Sequence, residues 1–594
     1  MSGIAAVAAR EPRLDGEHFH RWTAALARVE SEPRFVRVSG RVGLAASGAH
    51  DARGGISHFI DSDPVIGVVA DARLDALAEL GRAMQAAGGR GPSPDSDAGL
   101  IARAYALWGV ACLDRLVGDF AFILSDERTG ELLAARDHFG VRQLYYAATD
   151  GGLVVSSSAR AVVRHPWVSR RLDDQAVVDF LVHDQVAHDA TLFADVRRLR
   201  AGHLLLWTGR SVTTRPYWTL EPRVPFATRD VRDAPRILAS LLRTAVGDRT
   251  RSQPAGVLLS GGVDSTAIMS AVCDTARGPG EVRAYTAYSR VRMIDREHDY
   301  AALAAGRLGV ASELHDTDPY LPLQCPADAQ LASLIPDSTT IASSTIDLLA
   351  RVGRHSSVAL TGIGPDGLLL PDPLRDSVRG AGAAGLVRTL LDAARHVGTY
   401  GRRPPMMLRR RRASRDVAAP PWLAREARDA WYRSVSPWPS HSGAVGHRQL
   451  AHRVMAGGWS YLLETYAAAG GVSGVSVAHP FLDLRVVDFC LRLPSAPWCW
   501  DKHVLRVAAS GALPREVTRR RKTPLRFPWL TLAVREAGTQ ALVEMKPLEM
   551  TARYYAWPDF AVLRGPVMED PYTNLRPVAL DQFLRVWSVQ RAVA

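Results

Sequence analysis

The sequence predicts two domains of different class: a layered β-sheet domain of α+β type over residues 1–215, and a parallel α/β domain over 231–594. Three observations carry this. Short apolar segments separated by Gly-rich turns fill the first third of the chain. After about residue 231, helical apolar patterns alternate with short strands, the signature of a parallel sheet with helices on both faces. Residues 254–272 run from an apolar strand through a Gly-Gly turn into an apolar-faced helix.

In chain order, strands are expected at 65–70, 121–125, 132–136, 153–157 and 204–207, with a helix over 98–108. Tyr217, Trp218, Pro222 and Pro225 mark a crossing segment. Strands at 257–260, 283–288 and 358–361 then build the parallel sheet, and the chain contains no internal repeat. Residues 371–447 interrupt this rhythm with prolines, glycines and the run Arg402-Arg403-Pro404-Pro405-Met406-Met407-Leu408-Arg409-Arg410-Arg411-Arg412. A block of like charge is ordinarily a solvated surface. The functional alternative is a lip that steers an acidic or peptide substrate.

At 594 residues and 47% apolar content, the chain can bury large cores. Its formal charge of +12 does not imply nucleic acid, because only three of 73 basic residues are Lys, at 502, 522 and 546. That bias describes composition rather than a binding face. Cys112, Cys273, Cys325, Cys490 and Cys499 form no C-x-x-C pair and no even framework, so neither a disulfide scaffold nor a zinc site is expected. His18, His20, Cys490 and Cys499 also lack ligand spacing and are expected to pack ordinarily. The N-terminus has no secretory pattern and no window reaches 18 consecutive apolar residues, so a cytoplasmic protein without a membrane span is expected.

The strand-turn-helix at 257–272 carries the chemistry. Val257, Leu258 and Leu259 suit a buried strand, and Ile268, Ala271 and Val272 share one face of the following helix. Between them, Ser260, Gly261, Gly262, Asp264, Ser265 and Thr266 gather hydroxyls, unhindered N–H groups and a carboxylate at a helix N-terminus, which is an anion site. No Lys follows the glycines, so this is not a P-loop, nor is it the dinucleotide Gly-x-Gly-x-x-Gly.

The loop resembles the Ser-Gly-Gly-x-Asp-Ser-[Ser/Thr] pyrophosphate loop of ATP pyrophosphatases, and further segments resemble the asparagine synthetase superfamily in order along most of the chain. Gly118-Asp119-Phe120-Ala121-Phe122 and the run Arg136-Asp137-His138-Phe139-Gly140-Val141-Arg142 look like its glutaminase-type domain. Thr361-Gly362-Ile363-Gly364-Pro365-Asp366 looks like its second magnesium segment, and His479-Pro480-Phe481-Leu482-Asp483 like its late core signature. The resemblance implies an Ntn-type layered glutaminase fold followed by an adenine nucleotide α-hydrolase-like ATP-pyrophosphatase fold. It also implies ATP and Mg²⁺ as cofactors. Leu258, Ser260, Gly261, Gly262, Val263, Asp264, Ser265, Thr266, Gly362 and Lys522 are expected around the nucleotide, with Asp264 and Asp366 holding the metal.

The departures from that family pattern are specific. Working glutaminases of the family begin Met-Cys-Gly-Ile, whereas this chain begins Met1-Ser2-Gly3-Ile4. A serine hydroxyl is a far poorer nucleophile near neutral pH. Ala70-Asp71 replaces the Asn-Gly of the oxyanion hole, so a retired glutaminase is expected and the amine must come from the substrate. Ile363 stands where β-lactam synthetases carry Tyr, and Gly367 where asparagine synthetases usually carry Glu. What remains is most similar to lasso-peptide cyclases, which join a peptide's N-terminal amine to an Asp or Glu side chain. The partners this implies are a leaderless precursor core peptide, a leader peptidase and a leader-recognition protein. A β-lactam or asparagine synthetase-like enzyme of small molecules and a non-catalytic scaffold are the competing expectations.

By the same resemblance, Glu464 is expected to deprotonate the attacking amine and Lys502 to stabilise the transition states. Each expected residue has a plainer alternative. Asp264 could be a helix N-cap, Asp366 a turn residue, Glu464 an exposed helical carboxylate and Lys502 a structural cation. Lys502 stands out because the chain uses Arg for nearly every other positive charge.

Overall fold

The computed structural model describes residues 3–11, 14–23, 35–47, 55–62, 65–89, 96–182, 189–220, 226, 231–251, 253–276, 278, 280–292, 296–369, 387, 390–400, 419–434, 459–521, 528–536, 547–556 and 571–589. The amino-terminal domain contains twelve strands among these residues: β1 (Gly3–Ala9), β2 (Phe35–Ser39), β3 (Val42–Ser47), β4 (Gly55–Ser62), β5 (Val65–Asp75), β6 (Val117–Asp126), β7 (Glu131–Arg136), β8 (Tyr145–Thr149), β9 (Gly152–Ser156), β10 (Arg197–Arg198), β11 (His203–Trp207) and β12 (Val212–Pro216). They form two antiparallel six-stranded sheets, ordered β10-β8-β9-β1-β3-β2 and β12-β11-β7-β6-β5-β4.

Period-2 side-chain placement explains the layering. In β1, Ile4, Ala6 and Ala8 face the core between the sheets, while Ala5, Val7 and Ala9 face an outer core. In β6, Ala121 and Ile123 face inward, and Phe120, Phe122 and Leu124 pack beneath the helices Leu77–Ala86 and Asp97–Trp108. Strands buried on both faces therefore read as continuous apolar runs. The result is a sandwich of two sheets with helices outside each.

Five further strands form a wholly parallel sheet: β13 (Ala255–Leu258), β14 (Val282–Tyr288), β15 (Ala311–Asp316), β16 (Val358–Leu360) and β17 (Ser476–Ala478), in the order β15-β14-β13-β16-β17. Successive strands step to one side of β13 as far as β15, and β16 then returns to its other side. The crevice beyond the carboxyl ends of β13 and β16 is thus the topological switch point, where open α/β sheets bind ligands. β13 ends two residues earlier than the sequence suggests. Leu259 N still donates to Tyr285 O at 2.8 Å, but Ser260 N turns to the Ser265 hydroxyl instead of the sheet.

The carboxyl-terminal residues pack on the amino-terminal sandwich. Trp422, Leu423, Trp431, Tyr555, Leu575, Phe583 and Trp587 share one core with Val177, Leu181 and Phe193. Trp587 meets Phe193 edge-on at 5.4 Å, and Trp422 Nε1 donates to Asn574 Oδ1 at 2.8 Å. Elsewhere the domains meet through buried ion pairs. Arg73 holds Asp75 at 2.8 Å and Asp119 at 2.6 Å, and Arg249 bridges from Asp483 at 2.9 Å to Asp75 at 3.5 Å. Asp75, Asp248 and Asp483 converge within 4.8 Å. Arg249 and Arg485 supply the positive charge at that convergence.

All five cysteines are free. Among the described residues, no helix is long and apolar enough to cross a membrane.

Candidate functional site

The Ser-Gly-Gly loop links β13 to the helix Val263–Thr275, whose N-cap is Gly262. Gly261 sits at φ +67°, and a Cβ there would strike the backbone of Ala301 at 2.8 Å. Gly362, at the end of β16, faces the same helix start, where a Cβ would lie 2.7 Å from Ser265 N. These two glycines let two backbones close on the switch point. The Ser265 hydroxyl accepts from Ser260 N at 3.0 Å and lies 3.1 Å from the Ser260 hydroxyl, which fixes the loop. Thr266 is fully buried and its hydroxyl donates to Gly262 O at 2.9 Å, so its side chain braces the first helical turn.

Asp264 is the second residue of its helix, with Gly262 as the cap, so its carboxylate is not the N-cap. Asp366 is the second residue of the short helix Pro365–Leu368. The Lys502 ammonium pairs with both carboxylates, contacting Asp264 Oδ2 and lying 2.6 Å from Asp366 Oδ1. Burial alone would lower the Lys502 pKa, but the two carboxylates outweigh it and hold the pKa above its ordinary value. Two carboxylates that converge on one nitrogen are also close enough to share a divalent cation, so the donor set fits Mg²⁺.

Lys502 reaches this point from an unusual turn. Asp501 and Lys502 both lie in the left-handed region, at φ +47° and +58°, a conformation that costs roughly 1–3 kcal/mol per non-glycine residue. Buried Arg506 holds it, donating to Asp501 O at 2.6 Å, Asp501 Oδ1 at 3.0 Å and Thr518 O at 2.7 Å. At the end of β17, His479 Nδ1 lies 2.7 Å from the Thr361 hydroxyl, tying the two neighbouring strand ends. Burial pushes its imidazole down to about 4, so it is neutral near pH 7.

Glu464, on the helix Trp459–Ser473, is only 1% exposed, which removes the reading of it as a solvated helical carboxylate. It accepts from the Ser333 hydroxyl at 3.1 Å and Leu334 N at 3.0 Å, and pairs with Arg198 of β10 at 2.7 Å. Burial and the Glu464 charge push the neighbouring Tyr145 phenol up. Lys502 and Glu464 therefore have separate partners, Asp264 and Asp366 for one and Arg198, Ser333 and Leu334 for the other.

Asp71 forms an ion pair with Arg142 at 3.4 Å. Ser2, Lys522, the run at 402–412 and much of 371–447 lie outside the described residues. Arg198, Ser333 and Arg506 were not singled out in the sequence. The two arginines carry no signal in a chain whose basic residues are nearly all Arg.

The glutamine amidotransferase domain family matches residues 65–218, and the asparagine synthase family matches 238–553. The glutamine-hydrolyzing asparagine synthetase 3 of Bacillus subtilis is 23% identical over 459 residues, covering 72% of this chain and 70% of its own length. Amidase chry2 of Gibberella zeae is 32% identical over 188 residues, covering 30% of this chain and 26% of its own. The chain thus spans about a quarter of that amidase's length. Among solved structures, a glutamine phosphoribosylpyrophosphate amidotransferase from B. subtilis overlaps 61% of this chain and 76% of its own, with 13% identity and a TM-score of 0.25, too low to bear on the assignment. A match over more than half the chain, spanning the loop at 260–266 and both Asp264 and Asp366, places this protein in the asparagine synthase family.

Proposed function

We propose that this protein is an ATP-dependent, AMP-forming amide synthetase, and that its substrate is a leaderless precursor peptide closed into a lasso-type macrolactam. The observation that carries the adenylation step is the convergence of Asp264, Asp366 and Lys502 beside the Ser-Gly-Gly loop at the switch point. An Asp or Glu side chain of the peptide attacks the α-phosphate of ATP, forming acyl-AMP and releasing pyrophosphate. The peptide's N-terminal amine then attacks the acyl carbon, the amide forms and AMP leaves.

Mg²⁺ held by Asp264 and Asp366 would neutralise phosphate charge. The loop's backbone N–H groups and the N-terminus of the helix Val263–Thr275 orient the phosphates. Lys502 follows charge onto the oxyanion and the leaving phosphate. Glu464 takes the amine proton, which requires it to loosen from Arg198. Ammonia from glutamine has no part, because Ser2 replaces the thiol and Asp71 occupies the oxyanion-hole position.

A peptide ring needs a site that holds the folded chain with amine and acyl carbon in near-attack geometry. The retired domain and the carboxyl-terminal residues packed on it supply surface that an amino-acid substrate does not require. The second reading is a small-molecule amide synthetase of asparagine synthetase type, favoured by the relative's name. Mass spectrometry of enzyme, MgATP and cognate peptide should show loss of one water and resistance to N-terminal sequencing. AMP formation with aspartate or a small β-amino acid, with the peptide unchanged, would support the second reading.

A further inference from the structure

The helices Ile341–Gly353 and Trp459–Ser473 lie side by side and feed β16 and β17. Both run antiparallel to their strands, so their N-terminal halves stand at the same edge of the sheet as Asp366 and His479. Between those halves is a cavity of about 30 Å³, lined among others by Gln330, Ser333, Asp337, Ile341, Tyr461 and Thr465. A cavity of this volume has room for a small polar group.

Its polar lining is rich in acceptors. Gln330 is 7% exposed. Its amide nitrogen donates to Cys325 O at 3.1 Å, and among the described residues no donor meets its buried Oε1. Asp337 Oδ1 accepts from Thr339 N at 2.9 Å and the Thr339 hydroxyl at 2.7 Å, and Oδ2 accepts from Ala342 N at 3.3 Å. No described Lys, Arg or His forms an ion pair with it, and burial raises its pKa. The Thr465 hydroxyl spends its proton on Tyr461 O and the Ser333 hydroxyl on Glu464. A carboxylate without an ion-pair partner and an orphaned amide oxygen in the lining of one cavity call for a compact group that only donates. An ammonium, with three N–H donors, is that group. Tyr461 is 43% exposed, so a chain attached to the amine can continue outward past it.

We propose that this cavity is the subsite for the substrate's primary amine, held in its ammonium form between Gln330 Oε1 and Asp337. Ser333, also in the lining, donates to Glu464 at 3.1 Å and so links the cavity to the group assigned to deprotonate the amine. What the bound amine is for rests on the amide-synthetase reading; the binding itself does not.

The test uses crystals of the full-length protein equilibrated with methylammonium chloride, and with tetramethylammonium chloride as a cation that has no N–H. Methylammonium should occupy the cavity with its nitrogen in hydrogen-bond reach of Gln330 Oε1 and the Asp337 carboxylate, and tetramethylammonium should be absent. Asp337→Asn keeps an oxygen for the Thr339 contacts, and Gln330→Met keeps the side-chain volume. Each should abolish occupancy in a folded protein. A cavity holding only water after the soak, or unchanged occupancy in both variants, overturns the proposal. Release of AMP and pyrophosphate is read on the same preparation. Bound methylammonium without nucleotide turnover would overturn the amide-synthetase reading and leave the subsite standing, and turnover with an empty cavity would do the reverse.

Discussion

Arg198 and Glu464 form a buried ion pair at 2.7 Å that joins strand β10 of the amino-terminal sandwich to the helix leading into β17 of the parallel sheet. Their side chains are 7% and 1% exposed, so neither charge has water to fall back on. The amino-terminal domain therefore reaches the expected base of the synthetase domain directly.

Removing one partner of such a pair strands the other. Arg198→Met should destabilise the protein by about 3–5 kcal/mol, and Arg198→Met with Glu464→Met should recover most of that loss. Chemical denaturation midpoints of the single and double variants check this. A neutral Arg198→Met single variant would show that the pair is not closed in solution.

Lys502→Ala should lower turnover by roughly 10² to 10³, the scale of losing one transition-state donor. Lys502→Arg should not restore it, because a planar fork cannot replace a compact ammonium between two carboxylates. Steady-state rates at saturating MgATP decide the matter, and a Lys502→Arg enzyme near wild type would remove the point-charge argument.

Much of the amino-terminal sandwich was legible because strands buried on both faces keep continuous apolar runs, as β5 and β6 do. The loop at 260–266 was legible because its glycines and hydroxyls serve a local geometry. The bond from the Thr266 hydroxyl back to Gly262 O was not legible, because a hydroxyl in the first helical turn bonds back to the chain as readily as it faces a ligand. The packing of Phe583 and Trp587 on Phe193 was not legible, since contacts between segments some 390 residues apart leave no periodic trace in either. Gln330 and Asp337 were missed for a related reason. Gln330 sits on the short helix Ala327–Ala332 and Asp337 in the connection that follows it, and only the apposition of two distant helices gives them a shared cavity.

Burial holds His138 and His479 at about 4 and His165 at about 3, below the ordinary value of about 6.5. Folded values below unfolded ones mean that their contribution to stability is complete above about pH 6.5 and is lost as pH falls toward 4. Asp97 and Asp137, pushed up to about 6 by burial, act in the opposite sense as they take up protons. His479→Gln keeps a polar partner for Thr361 without titrating, so its melting temperature should fall less steeply than wild type between pH 6.5 and 4. Parallel melting curves across that range would contradict the assignment.

The most direct test of the account is the identity of the nucleotide products. With MgATP and the cognate carboxylate and amine, and with no glutamine added, the enzyme should release AMP and pyrophosphate in equal amounts. Asp264→Ala and Asp366→Ala should each abolish both products in a folded protein. Stoichiometric ADP and phosphate, or turnover that requires glutamine and releases glutamate at a matching rate, would contradict it.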